Sequence, residues 1–68
     1  MNSHIGPGRY HVTLIVDSRP MMQGWWGSEA VARGKFREWV GGRGKAGVRI
    51  TLVDEDTGTL LTSWPEEA

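Results

Sequence analysis

The side chains of this 68-residue chain that could do chemistry are Ser28, the two histidines His4 and His11, and the acidic run Asp54–Glu55–Asp56. Ser28 follows Gly27 and precedes a stretch with helical spacing, a setting in which a serine can serve as a nucleophile. No histidine stands near it in sequence. An N-cap role accounts for it fully, its hydroxyl accepting from a backbone N–H of the first helical turn. His11 shares one face of a strand-like run with Asp17, but six residues of extended chain separate the two, too far for a dyad. The segment "DEDTG", residues 54–58, offers oxygens without the ligand spacing of a calcium loop, so an acidic turn is expected. Two histidines and no cysteine are too few for a zinc site. The glycine-rich "GGRGKAG", residues 41–47, lacks the Gly-Lys-Ser/Thr ending of a phosphate-binding loop and leads into a strand where such a loop needs a helix. No catalytic residue, metal site or cofactor is expected, and the chain is read as not an enzyme.

Binding surfaces offer more. Arg33, Lys35, Arg37, Arg43, Lys45 and Arg49 stand against the single acid Glu38, and the last fifteen residues hold five acids and no base. Such asymmetry inside a chain of zero net charge suits an anionic partner, or pairing of the basic middle with the acidic end, in this copy or a neighbour. Nucleic acid is the anionic alternative, with Arg33, Lys35, Arg37, Arg43 and Lys45 as contacts. Trp25 and Trp26 are adjacent, so in a strand they point to opposite sides and one leaves the core. Which one depends on a register that the sequence leaves open. The outward ring covers the helix start or stacks on a ligand, base or partner.

The elements that must position these groups follow from periodicity. Residues 1–8, with Gly6, Pro7 and Gly8, are expected to form a flexible tail, residues 9–65 one small α+β domain, and residues 66–68 an acidic tail. "YHVTLIVD" reads as a strand with Tyr10, Val12, Leu14 and Val16 facing the core. "DSRP" makes a turn, and "MMQGWW" is read as a short returning strand with Gly24 as a bulge or kink. A helix is predicted from Ser28 to about Val40, stopped by Gly41–Gly42, with Ala32, Phe36, Trp39 and Val40 as its inward stripe. "VRITLVDEDTGTLLTSW" predicts a hairpin turning at "EDTG", with Ile50 opposite Trp64, Leu52 opposite Thr62 and Val53 opposite Leu61. That register places Leu60 on the core face and Leu61 on the other. Pro65 ends the strand.

The expected architecture is two β-hairpins joined by one α-helix (ββαββ), the helix packed on one face of an antiparallel-rich sheet. One helix covers one face only. The other carries Ile15, Val53, Leu61 and Thr51, with His11, Thr13 and Arg49, and is the predicted self-association face. A small domain without disulfide or metal often recruits a second copy, so a homodimer or another protein partner is expected, in an interaction or regulatory accessory role. No run of eighteen apolar residues suggests a membrane span, and "MNSHIGPGRY" lacks the features of a signal peptide, so a cytoplasmic location is expected.

Two resemblances bear on these segments. The order strand–turn–strand–aromatic–basic helix over residues 10–40 loosely resembles the arm-type DNA-binding domains of phage integrases, without a diagnostic motif. "GWWGSEAVARGKFREWV" followed by "GVRITLVDEDTGTLLTSWPEE" resembles short uncharacterised actinobacterial proteins of the Streptomyces type and covers most of the chain. That second resemblance implies no activity and no site residue.

Overall fold

The computed structural model describes residues 8–65, so the expected tails lie outside the described residues apart from Gly8. Strands β1 (Tyr10–Val16) and β2 (Arg19–Trp26) precede helix α1 (Glu29–Arg43), and strands β3 (Val48–Asp54) and β4 (Thr59–Trp64) follow it. The fold is α+β, as the periodicities predict: one antiparallel sheet in the order β2-β1-β3-β4, with α1 packed on one face. The two strands of strongest alternation, β1 and β3, take the centre, where both edges of each are hydrogen-bonded.

Burial follows the pleat. Val12 and Leu14 of β1 and Val48, Ile50 and Leu52 of β3 turn toward the helix and form the core with Ala32. Tyr10, Val16, Trp26, Phe36, Trp39, Val40 and Trp64 pack around them. Trp26 meets Trp39 edge to face, with 6.2 Å between ring centroids and 75° between planes, the arrangement that aromatic quadrupoles favour. The aromatic rings thus enlarge a core that few aliphatic side chains could build alone.

Four local features differ from the sequence expectations. The β1–β2 turn is tight: Asp17 and Ser18 both take positive φ, 50° and 71°, as in the type I′ turns whose twist matches that of paired strands. Pro20 therefore lies inside β2, tolerated because β2 is an edge strand. The β2 bulge falls at Met21 and not at Gly24, since Leu14 pairs with Met22 and Ile15 with Pro20. Gly24 stays in register opposite Val12, and its missing side chain makes room for the Trp26 indole, which folds back onto it.

Gly41–Gly42 do not stop the helix. It continues to Arg43, and the Gly44 N–H closes it by donating to the Val40 carbonyl at 3.0 Å, with Gly44 at an ordinary negative φ. Its start is as expected: Ser28 Oγ accepts from the Val31 N–H at 3.3 Å. In the second hairpin, Ile50 pairs with Trp64 and Leu52 with Thr62, but a bulge then shifts the register so that Val53 pairs with Leu60. Leu60 is accordingly the exposed leucine, at 52%, while Leu61 is half-buried against the core.

Candidate functional site

The face of the sheet away from α1 is built in rows, because residues paired across an antiparallel ladder point the same way. The first row runs Trp25–His11–Val53–Leu60 across all four strands. The second runs Gln23–Thr13–Thr51–Ser63, and the third holds Pro20, Ile15 and Arg49. Of the predicted association residues, Val53 and Thr51 sit where the sequence places them. Leu61 is replaced on this face by Leu60. Ile15 belongs to the face but lies two rows from Val53, roughly 13 Å along the strands, so the aliphatics do not form one patch.

His11 is the centre of the first row. Its ring lies flat on Trp25, with 4.3 Å between centroids and 9° between planes. Trp25 is thus the tryptophan that leaves the core, and Trp26 the one that enters it. Nδ1 of His11 is 3.0 Å from Glu55 Oε2, and Nε2 is 2.9 Å from Gln23 Oε1 and 3.2 Å from Thr13 Oγ1. A carboxylate can only accept, so Nδ1 carries the proton that it donates to Glu55. In the neutral ring Nε2 is then an acceptor for the Thr13 hydroxyl, and in the charged ring it donates to Gln23.

Carboxylate, imidazole and hydroxyl in that order are the parts of an acyl-transfer triad. Two features of the surroundings oppose that use. The backbone N–H groups of β1 are engaged by strands on both sides, which leaves none there to hold a developing oxyanion. Gln23 also occupies the nitrogen that would have to take the proton from Thr13. The cluster is better described as a polar seam that fixes Trp25. Glu55 was not legible as its member, because it reaches His11 only through the β1–β3 pairing of residues 44 apart in sequence.

The acidic turn is neutralised from the N-terminal side of the chain. Asp54 is buried and accepts two hydrogen bonds from Arg9, Nε to Oδ1 at 2.7 Å and Nη2 to Oδ2 at 2.8 Å. The Arg9 guanidinium holds the Asp54 carboxyl below the usual carboxylate range, aided by the Asp56 N–H, which donates to Oδ1 at 3.1 Å. The Arg9 guanidinium in turn lies 5.2 Å from the centroid of the Tyr10 ring, close enough for a cation–π contact. This locks the hairpin tip to the start of β1, and the Glu55 N–H adds a bond to the Arg9 carbonyl at 2.9 Å.

The basic segment is divided by these arrangements. Arg33 pairs with Glu29 at 2.8 Å and Lys35 with Glu38 at 3.5 Å, both along the helix. Of the acids expected to meet the basic middle, Asp54 and Asp56 engage Arg9 and Glu55 engages His11, while Glu66 and Glu67 lie outside the described residues. Among the described residues no ion pair engages Arg37, Arg43 or Lys45. No group of His, Cys, Asp and Glu side chains among the described residues is placed to hold a metal ion. None of their helices is long and apolar enough to cross a membrane.

No protein-family model, curated protein or solved structure matches this chain.

Proposed function

We propose that this protein is a small interaction module that acts by association rather than catalysis, and that it pairs with a second copy of itself through the sheet face opposite α1. The observation that carries this reading is the first row, Trp25–His11–Val53–Leu60. A two-fold axis lying along the strands between two such faces sets Trp25 of one copy over Leu60 of the other. The same axis sets His11 over Val53 and Thr13 over Thr51. Each contact then occurs twice, as an isologous interface requires. The second row is made of small residues beside Gln23, which lets two sheets approach to about 10 Å.

The edges support a face-to-face arrangement over an edge-to-edge one. Edge strand β2 carries Pro20 and the Met21 bulge, and edge strand β4 carries the bulge at Leu60–Leu61. Proline and bulges interrupt the row of groups that a further strand would need. Size sets the strength. Four strands at about 4.8 Å spacing and seven residues at about 3.3 Å give a face of roughly 400 Å² in plan. Stable interfaces bury about 800 Å² per partner, so the association is weak and reversible. A cytoplasmic regulatory or accessory role belongs to the same proposal. Sedimentation equilibrium from about 10 µM to 1 mM, a range that spans weak dimers, tests it. A mass fixed at the 7.6 kDa of one chain throughout rejects it.

A second reading has its own observation. Because the acidic hairpin is satisfied by Arg9 and His11, Arg37, Arg43 and Lys45 remain available to an anionic partner such as nucleic acid. Binding to a short duplex should then fall steeply with salt, as released counterions demand, and should be lost in Arg37→Glu with Lys45→Glu. Absence of binding at low salt removes this reading.

A further inference from the structure

We infer that the cavity under the last turn of α1 is a binding site for a small carboxylate with an apolar body, of the size of a medium-chain fatty acid. The cavity measures about 290 Å³ and is lined by Leu14, Val16 and Val48 of the sheet and by Gly42, Arg43, Gly44 and Lys45 of the helix end and the loop after it. This is a different region from the row that carries the dimer proposal, since it lies on the helix side of the sheet.

The cavity lies where the helix end is rich in glycine. Upstream, Phe36, Trp39 and Val40 fill the space between α1 and the sheet. Beyond them come Gly41, Gly42 and Gly44, so Leu14, Val16 and Val48 meet no side chain from these positions. Gly44 is demanded by packing, because a Cβ there would lie 3.0 Å from the Trp64 ring and against the Val40 carbonyl. Gly42 is not: it lies within the helix, and a Cβ there would meet nothing within 4 Å. A glycine inside a helix costs roughly 1 kcal/mol relative to alanine. Gly42 contributes only backbone to the cavity wall.

The chemistry of the lining selects the ligand. Its floor is aliphatic, and Arg43 and Lys45 stand at its rim with no ion pair among the described residues. The C-terminal end of a helix carries about half a negative charge, which disfavours an anion, but two full positive charges outweigh it. A guanidinium grips a carboxylate through two parallel hydrogen bonds while the ammonium adds a point charge. Ligand pockets generally span about 300–1,000 Å³, so this one suits a ligand at the small end of that range.

The test is an amide and methyl NMR titration of the whole protein with sodium octanoate, with octanol and inorganic phosphate as separate arms. Octanoate is expected to give saturable shifts at Leu14, Val16, Val48 and residues 42–45, leaving the Trp25 indole unmoved. Octanol and phosphate should each bind at least about tenfold more weakly, since each lacks one half of the recognition. Arg43→Gln with Lys45→Gln should weaken octanoate by at least about tenfold, the scale of losing charge-assisted hydrogen bonds. The proposal is overturned by the absence of saturation, by shifts centred on Trp25 and His11, by undiminished binding in Arg43→Gln with Lys45→Gln, or by octanol or phosphate binding as tightly as octanoate.

Discussion

His11 lies parallel to Trp25 at 4.3 Å, on the sheet face opposite the helix, while the next residue, Trp26, turns to the other side and meets Trp39 at 75°. Adjacent tryptophans thus take opposite roles because strand side chains alternate. The polar seam of Glu55, Gln23 and Thr13 holds the imidazole, and the imidazole holds the indole.

Loss of Trp25 and loss of Trp39 should therefore differ. Trp25→Ala removes a stacked cross-strand pair and should cost about 1 kcal/mol. Trp39→Ala opens a hole in the half-buried layer between α1 and the sheet and should cost about 2–4 kcal/mol, a large part of the stability of so small a domain. Urea unfolding of the two variants measures both. Equal losses would mean that the two rings share one environment.

Acid should loosen the hairpin tip. The Asp54 carboxyl is held below its ordinary value, chiefly by its hydrogen bonds from Arg9. A carboxylate whose pKa is depressed in the folded state stabilises fully above its unfolded value of about 4, and that contribution is lost as pH falls through the lower folded value. Stability of the parent protein should decline across this acidic window. Asp54→Asn should be less stable at neutral pH and should show a flatter decline, as read from melting temperature against pH. A parallel decline in both proteins would assign the acid response to other groups.

Two glycines should respond in opposite directions to alanine. At Gly24 a methyl would fall on the indole of Trp26, so the ring must move and strain its packing on Trp39, at a cost of about 1–3 kcal/mol. At Gly42 a methyl meets open space on a helical backbone, and the gain should be about 0.5–1 kcal/mol. Thermal melts of the two variants decide the matter. A destabilised Gly42→Ala would show that the last turn of α1 is packed more tightly than it stands here.

Association should depend on Val53 and Leu60 and not on Leu61. Val53→Lys and Leu60→Lys each place a charge in the row proposed to meet its copy, and each should give a folded monomer at concentrations where the parent self-associates. Leu61 packs against the core, so Leu61→Ala should lower stability and leave the dimerisation constant of the folded protein nearly unchanged. Paired sedimentation and unfolding measurements separate these effects.

What the sequence determined by itself was everything that repeats along the chain. The alternation of Tyr10, Val12, Leu14 and Val16, the stripe Ala32–Phe36–Trp39–Val40, and the Ser28 cap are local patterns, each enforced by the geometry of a single element. The departures arose where one residue shifts the count. A bulge at Met21 and another at Leu60–Leu61 each change which residues pair, and a bulge depends on the twist of the whole sheet as well as on local residue types. Gly41–Gly42 read as a stop, yet the helix continues through them to Arg43 and is closed by the Gly44 N–H bond to the Val40 carbonyl. Contacts between distant residues came only with the strand order. Once β1 lies beside β3, Arg9 meets Asp54 and His11 meets Glu55, so two acids of the hairpin turn are engaged by the start of the first strand. Local patterns choose the elements; the pairing of β1 with β3 decides which charges remain for a partner.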